Sequence, residues 1–557
     1  MNDEATRKFT LRNWLASGAP WIWITAAGVG INILMVAGLV GLIAFRGLAH
    51  FWPADVVQFS LSGQARTVLG EIKDEERIPA QQMRESGVNV AAGTEWVKRD
   101  LVKVGNRDVS GHDFRWVLEQ EVTTRNKPRD VVVIERREWG NFYGFLREIH
   151  ENHRVVADAG RVWAALPLRL QRALDLQARI HHIEKRDIGL INYQLERLRL
   201  QQRKLELQHR LTETVRQSIA EQSQALNARF KDLQKKATAL KAQSSRDSVV
   251  AETATGQRVE ISMSKIVRVF RPNAMSVVGK ARHYVAKLWE FIAEEPREAN
   301  TEGGIFPAIY GTVLMVLLMS AMVTPFGILA AVYMHEYASQ GFIIRGIRVA
   351  VNNLAGVPSI VYGVFGLGFF IYGIGAHVDR WFFPEALPAP TFGTGGLLWA
   401  SLTLALLTLP VVIVATEEGL SRVPKFIREG SLALGATQAE TLWRSVLPMA
   451  SPAIMTGIIL AVARAAGEVA PLMLVGVVKL APALPVDLNF PFFHPERKFM
   501  HMGFHIFDLG FQSPNVEATQ PLVYATALLL VLVIIALNLT AISIRNRLRE
   551  RYKTLDH

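Results

Sequence analysis

Two charged side chains stand out by type and spacing. Arg464 and Glu468 lie four residues apart inside an otherwise apolar stretch. An ionisable group at membrane depth is costly and is kept only where it pairs or faces a wet path. The i, i+4 spacing puts both on one helical face. There the two either pair with each other as a structural ion pair or line a wet path. His501 and His505 have the same spacing but no carboxylate at ligand distance in sequence, so a hydrogen-bonded loop role is preferred to a metal site. The chain has no cysteine, which excludes disulfides, thiolate metal sites and thiol nucleophiles. Gly279-Lys280-Ala281 lacks the upstream glycine and the hydroxyl residue of a nucleotide-binding loop, and there is neither a His-Glu-x-x-His helix nor a Ser/His/Asp constellation. No catalytic residue, no metal and no cofactor bound by this chain is expected.

The elements that must position these groups are membrane helices. Of 557 residues, half are hydrophobic and a fifth charged, with 62 Lys and Arg against 50 Asp and Glu. Six apolar runs reach spanning length, at 21–44, 310–332, 350–374, 397–415, 453–478 and 522–544. The first is too long for a signal-peptide core and no small-residue cleavage site follows it, so it reads as a retained anchor. Arg7, Lys8 and Arg12, Arg345 and Arg348, Arg422, Lys425, Arg428 and Arg444, and the tail arginines Arg545, Arg547, Arg549 and Arg551 with Lys553 all fall on one side if the spans alternate. The positive-inside rule then makes both termini cytoplasmic. Prolines 325, 358, 410 and 471 lie in or at the edges of spans, where kinks tolerated by packing are the expectation.

The segments divide as 1–50 (cytoplasmic N-terminus and first span), 51–304 (a large insert) and 305–557 (a core with five spans and a cytoplasmic loop, 416–448). Residues 51–304 belong outside the cytoplasm. Alternating runs at 67–73 and 130–135 suggest a small β-containing unit. From Pro167 to Ala242 there is no further proline, and Gly189 is the single glycine. This is on the order of 110 Å of helix if continuous, or a hairpin or coiled coil if Gly189 or a later polar stretch breaks it. Two heptad-like series, Ile188, Ile191, Leu195, Leu198 and Leu205, then Leu226, Phe230, Leu233, Ala237 and Leu240, differ in register. Strand-like alternation at 259–270 and an amphipathic stretch at 281–293 lead back to the membrane. One expectation for the arm is that it reaches toward a binding protein or across the periplasm.

The loop between spans four and five carries the most specific pattern. Glu429, Gly435, Leu447 and Pro448 match the spacing of the coupling loop of ABC-importer permeases, Glu-Ala-Ala, three residues, Gly, nine residues, Ile-x-Leu-Pro. Gly430 and Ser431 stand for the two alanines, Ser445 stands at the isoleucine position, and Ala436 follows the glycine. Asn353-Leu-Ala-Gly-Val-Pro-Ser-Ile-Val-Tyr-Gly and Ala466-Gly-Glu-Val-Ala-Pro-Leu resemble the PstA permeases of bacterial phosphate importers across nearly all of 303–552. Gly303-Gly-Ile-Phe-Pro and the stretch 502–515 resemble the longer PstA variants with an extracytoplasmic insert.

The resemblance implies an α-helical polytopic membrane protein of the bacterial inner membrane. Its fold class is a six-span ABC-importer permease, type I-like, with a large α+β/coiled-coil extracytoplasmic insert between spans 1 and 2. It implies a permease subunit of an ATP-driven inorganic phosphate importer, with Arg464 and Glu468 on the translocation path. It also implies a second permease resembling PstC, a dimer of ATP-binding subunits resembling PstB that holds ATP and magnesium, a periplasmic phosphate-binding protein resembling PstS, and membrane lipid as surroundings. A permease for sulfate or phosphonate, and a membrane sensor or scaffold, are the alternative readings.

Overall fold

In a computed structural model of the protein, residues 15, 17–62, 67–85, 87, 90, 93–297, 301–513 and 516–553 are described. Arg7, Lys8 and Arg12 and the end of the 502–515 motif lie outside them. Among the described residues six helices are long and apolar enough to cross a membrane, Pro20–Ala49, Phe306–Tyr337, Ser359–Phe382, Leu397–Ser421, Gln438–Gly467 and Thr519–Arg547. In lipid a spanning segment must satisfy its backbone internally, and helices do this.

The fourth span is the centre of the bundle. Leu404, Leu407 and Val412 pack with Met315, Met319 and Val323 of the second span and with Ala461 and Ala465 of the fifth. Small residues set these distances: a side chain at Gly457 would meet the Ala415 methyl at 2.5 Å, and one at Gly327 would meet Val412 at 2.6 Å. The first span leans on the sixth, where Gly47 lies against the Ala525 backbone, and its other faces are exposed as lipid-facing residues are.

The connections segregate to two sides. On one, Arg428 of the four–five connection donates to Glu336 at the end of the second span (2.9 Å), and Arg348 of the two–three connection donates to Glu417 at the end of the fourth (3.2 Å). On the other, the insert and the three–four and five–six connections meet.

Three boundaries differ from the sequence expectations. The third span starts at Ser359, because residues 342–354 form a separate amphipathic helix, Phe342–Leu354, that ends before Gly356 and Pro358. The fifth helix stops at Gly467; Glu468 is extended (φ −80°, ψ 131°) and a short helix, Ala470–Val475, follows. The stretch 416–448 begins as the last turns of the fourth span, to Ser421, and only then becomes short helices, Lys425–Ala433 and Gln438–Thr441.

The insert holds two large antiparallel sheets and, at its end, a short antiparallel pairing of Pro296–Arg297 with Glu302–Gly303. The first has the order β4 (Phe114–Leu118), β3 (Trp96–Lys103), β2 (Thr67–Pro79), β1 (Val56–Leu61), β5 (Val122–Asn126). The second runs β10 (Arg258–Ser262), β9 (Asp247–Glu252), β7 (Phe142–Glu151), β6 (Val131–Arg136), β11 (Ile266–Phe270), with β8 (Arg154–Ala157) also on β7. Val56 and Leu69 of the first sheet share a core with Val131, Val133 and Tyr143 of the second.

Between β8 and β9 the chain leaves as a helical hairpin. Its outgoing limb comprises Val162–His181, a looser turn His182–Ile188, and Gly189–Leu207; the return limb is Glu213–Ser244. The break falls at 208–212 and not at Gly189, which is helical (φ −57°) with nothing near it. Ile191, Ile219 and Ala237 are buried between the limbs, and Lys241 bridges back to Glu184 (2.6 Å).

The hairpin lies down on the core instead of reaching away. Tyr193 donates its hydroxyl to the Phe490 carbonyl, the Arg197 guanidinium sits 5.8 Å over the Phe490 ring, and Lys204 meets Glu385 at 3.3 Å. Tyr193 and Lys204 are eleven residues apart, about 16 Å of helix, so one limb spans both the three–four and the five–six connections. This replaces the expectation of an arm directed across the periplasm.

At the root of the insert a cavity of about 150 Å³ is lined by His50, Lys103, Lys287, Glu290 and Glu302, with Leu522 of the last span. Glu290 is buried and takes Arg268 (3.1 Å), Lys287 (3.2 Å) and Arg297. Burial alone would raise its carboxyl, but Lys287, Arg297 and Arg268 outweigh that and hold it below the usual range. Lys103 is held above the ordinary lysine value: burial would lower it, and Glu302, Asp113 and Glu71 outweigh the burial.

Candidate functional site

The loop between spans four and five is built on a buried apolar floor of Leu420, Val423, Leu442, Val446, Ala450 and Ile454. Arg428 pins the short helix Lys425–Ala433 to that floor through the Leu420 (2.7 Å) and Val423 (2.9 Å) carbonyls and Glu336. Gly435 ends the helix with φ 89°, a left-handed conformation that costs a side chain about 1–2 kcal/mol. Ala436 then returns its amide to the Ser431 carbonyl (3.2 Å), and Thr437 with Glu440 closes a capping box over the next helix. The Ser431 hydroxyl shares a hydrogen bond with Thr441 (2.8 Å), tying the two short helices together. From there the helix runs on through Leu447 and Pro448 into the fifth span without interruption.

Glu429 and Gly430 point away from this floor. Both are exposed, and a side chain added at Gly430 would meet open space. The small residue is therefore not required by this chain's own packing. Around it stand three large apolar side chains that a monomer has no reason to expose: Phe426, Trp443 and Leu434, the last 91% exposed. Sequence reasoning passed over these three; their signal was an apolar residue at the outward positions of a polar loop. The arrangement is a compact bracket, with a charge, a hole and an apolar rim, continuous with a spanning helix.

Arg464 and Glu468 are brought together, with Nε to Oε1 at 3.6 Å, although Glu468 stands just beyond the helix end and not on its face. Both are part-exposed in the single chain. Around them the third span comes close: a side chain at Gly363 would meet Pro471 Cα at 2.6 Å, and one at Gly366 would meet Thr403 and Val475. The arginine is thus held on a well-packed wall with one side open.

His501 and His505 are buried on the short helix Met502–Phe507 and its cap. His501 Nδ1 accepts from the Gly503 amide (3.1 Å), a capping role. Among the described residues no group of three or more His, Asp or Glu is arranged to hold a metal ion.

The family described as binding-protein-dependent transport system inner membrane component matches residues 323–554, the part that carries both sites. A phosphate transport system permease protein PstA 1 of Mycobacterium tuberculosis is 35% identical over 245 residues, which is 44% of this chain and 71% of that protein. The chain belongs to the PstA family. A probable PstA of Methanocaldococcus jannaschii is 33% identical over 189 residues, 34% of this chain and 60% of that protein. Among solved structures, the MetNI methionine ABC transporter in inward-facing conformations aligns with a TM-score of 0.32 and 17% identity, over 43% of this chain and 94% of that one. The insert lies outside the range matched by the family description. As a PstA-family permease with six apolar helices, the chain is a multi-pass inner-membrane protein.

Proposed function

We propose that this chain is the permease subunit of an ATP-driven importer of inorganic phosphate, with both termini in the cytoplasm and the insert outside it. The observation that carries the reading is its kinship to PstA permeases at 35% identity over 245 residues. The chain does not hydrolyse ATP. A dimer of separate ATP-binding subunits, which hold the nucleotide and magnesium, grips the bracket around Glu429, Gly430, Ser431, Gly435 and Ala436 through the apolar rim of Phe426, Leu434 and Trp443. Because that bracket runs through Leu447 and Pro448 into the fifth span, closure of the ATPase dimer turns the span. The open side of Arg464 faces a second permease, resembling PstC, and lines the path; Glu468 offsets its charge so that a bound oxyanion is released. A phosphate-binding protein resembling PstS delivers the substrate on the insert side.

The test is ATP-dependent uptake of labelled phosphate in vesicles rebuilt with these partners, with sulfate as competitor. Arg464→Ala should cut uptake at least tenfold while the complex still assembles. Glu429→Lys should abolish uptake together with ATPase docking. Wild-type vesicles that move no phosphate, or in which sulfate competes equally, would refute the phosphate reading.

A further inference from the structure

The connection between spans five and six is more elaborate than a link between helices requires. Val486 and Phe493 form a bridge, the Asp487 amide donates to the Phe492 carbonyl (3.0 Å), and Arg497 clamps Asp487 (2.6 Å) and the Leu484 carbonyl (2.8 Å). Burial alone would raise Asp487, but the Arg497 and Asn489 hydrogen bonds outweigh it and keep it ionised below the usual range. This scaffold presents a knuckle of apolar side chains outward: Leu488 is 74% exposed, Phe490 61% and Phe492 54%, with the two phenyl rings edge to face at 5.9 Å. The knuckle stands outside the membrane, since Phe490 is the residue that the water-exposed hairpin touches through Tyr193 and Arg197.

The hairpin contributes the complementary half. Residues 162–244 carry 16 Lys and Arg against 8 Asp and Glu, so a net +8 of the chain's +12 sits in this one appendage. On the return limb Arg229, Lys231, Lys235 and Lys236 are exposed, and of these only Lys236 has an intrahelical carboxylate, Asp232 at 2.7 Å. An apolar centre with aromatic anchors beside a charged rim is the anatomy of a protein interface.

We infer that the Leu488–Phe490–Phe492 knuckle and the basic hairpin resting on it form one docking surface for an acidic extracytoplasmic protein, which on the function proposed above is the solute-binding protein. The knuckle supplies the desolvated contacts that set the dissociation rate. The hairpin's positive field steers the acidic partner and sets the association rate. Tyr193 joins the halves by fixing the Phe490 backbone.

The experiment measures binding of the purified, phosphate-loaded binding protein from the same cells to the full transporter in nanodiscs, at low and physiological salt. Leu488→Ser with Phe492→Ser should weaken binding at least tenfold, mainly by faster dissociation. Lys231→Glu with Lys235→Glu, on an exposed helical face that such changes leave folded, should slow association several-fold and flatten its salt dependence. Tyr193→Phe should give a smaller loss. Unchanged binding in the first two variants overturns the inference, as does loss of the second permease from the complex in Leu488→Ser/Phe492→Ser, which would place the knuckle against the sister subunit. Normal docking in a wild type that moves no phosphate refutes the transport reading alone; a wild type that recruits no binding protein refutes both.

Discussion

A buried histidine used as a cap makes a local pH sensor of stability. Burial holds His501 down to about 3 and His505 to about 4, the latter with Asp508 pulling upward and Lys479 downward. In the unfolded chain both titrate near 6.5. Their neutral forms therefore stabilise the fold fully above about pH 6.5, and that contribution drains away as pH falls toward the folded values. The melting midpoint in detergent should drop between pH 7 and pH 4. His501→Asn keeps an acceptor for the Gly503 amide and removes one titrating group, so its drop should be shallower; equal slopes would exclude His501 as a contributor. At this scale the sequence was partly legible. The i, i+4 spacing located the two histidines and the Arg464–Glu468 pair, but spacing alone could not reveal that the helix ends at Gly467 and leaves Glu468 on extended backbone.

Among elements, the bracket between spans four and five separates two roles of glycine. Gly430 is helical with open space around it and stands where the permease pattern has alanine, so Gly430→Ala should stabilise the isolated chain by about 0.5–1 kcal/mol and leave coupled ATPase rates unchanged. Gly435 has equal space but φ 89°, so Gly435→Ala should cost about 1–2 kcal/mol from backbone strain alone. Thermal melts of the two variants beside coupled ATPase rates check both. A pattern of residue types could show this loop because Gly435 and the Thr437–Glu440 capping box fix its geometry locally. The third span's start was misplaced for the opposite reason: Ala350 and Val351 add to an apolar sum although they belong to a separate helix, and only Gly356 and Pro358 mark the break.

Over the whole molecule, what sequence could not supply was the position of the hairpin. The proline-free, nearly glycine-free run marked the helices, yet the contact that lays them on the core joins Tyr193 to Phe490, 297 residues away. No periodicity encodes such a meeting. The root of the insert is likewise long-range, with Glu290 surrounded by Arg268, Lys287 and Arg297. Glu290→Gln leaves three cations without their shared carboxylate and should cost about 3–5 kcal/mol, read as a lower melting midpoint. A midpoint unchanged by the substitution would mean that water already screens the cluster.

Both departures from the permease core begin and end almost at the same place. The chain enters the insert at Phe51, whose ring lies 5.0 Å from Phe291, and leaves it at Ile305, whose amide bonds the Phe291 carbonyl (2.8 Å). Within it, the hairpin departs after β8 and returns at β9, which flank the same strand, β7, about 10 Å apart by sheet spacing. The molecule is thus a parenthesis within a parenthesis. Each can lengthen, shrink or vanish at the small entropic difference of closing one loop, and the order in which the six helices thread the bilayer never has to change.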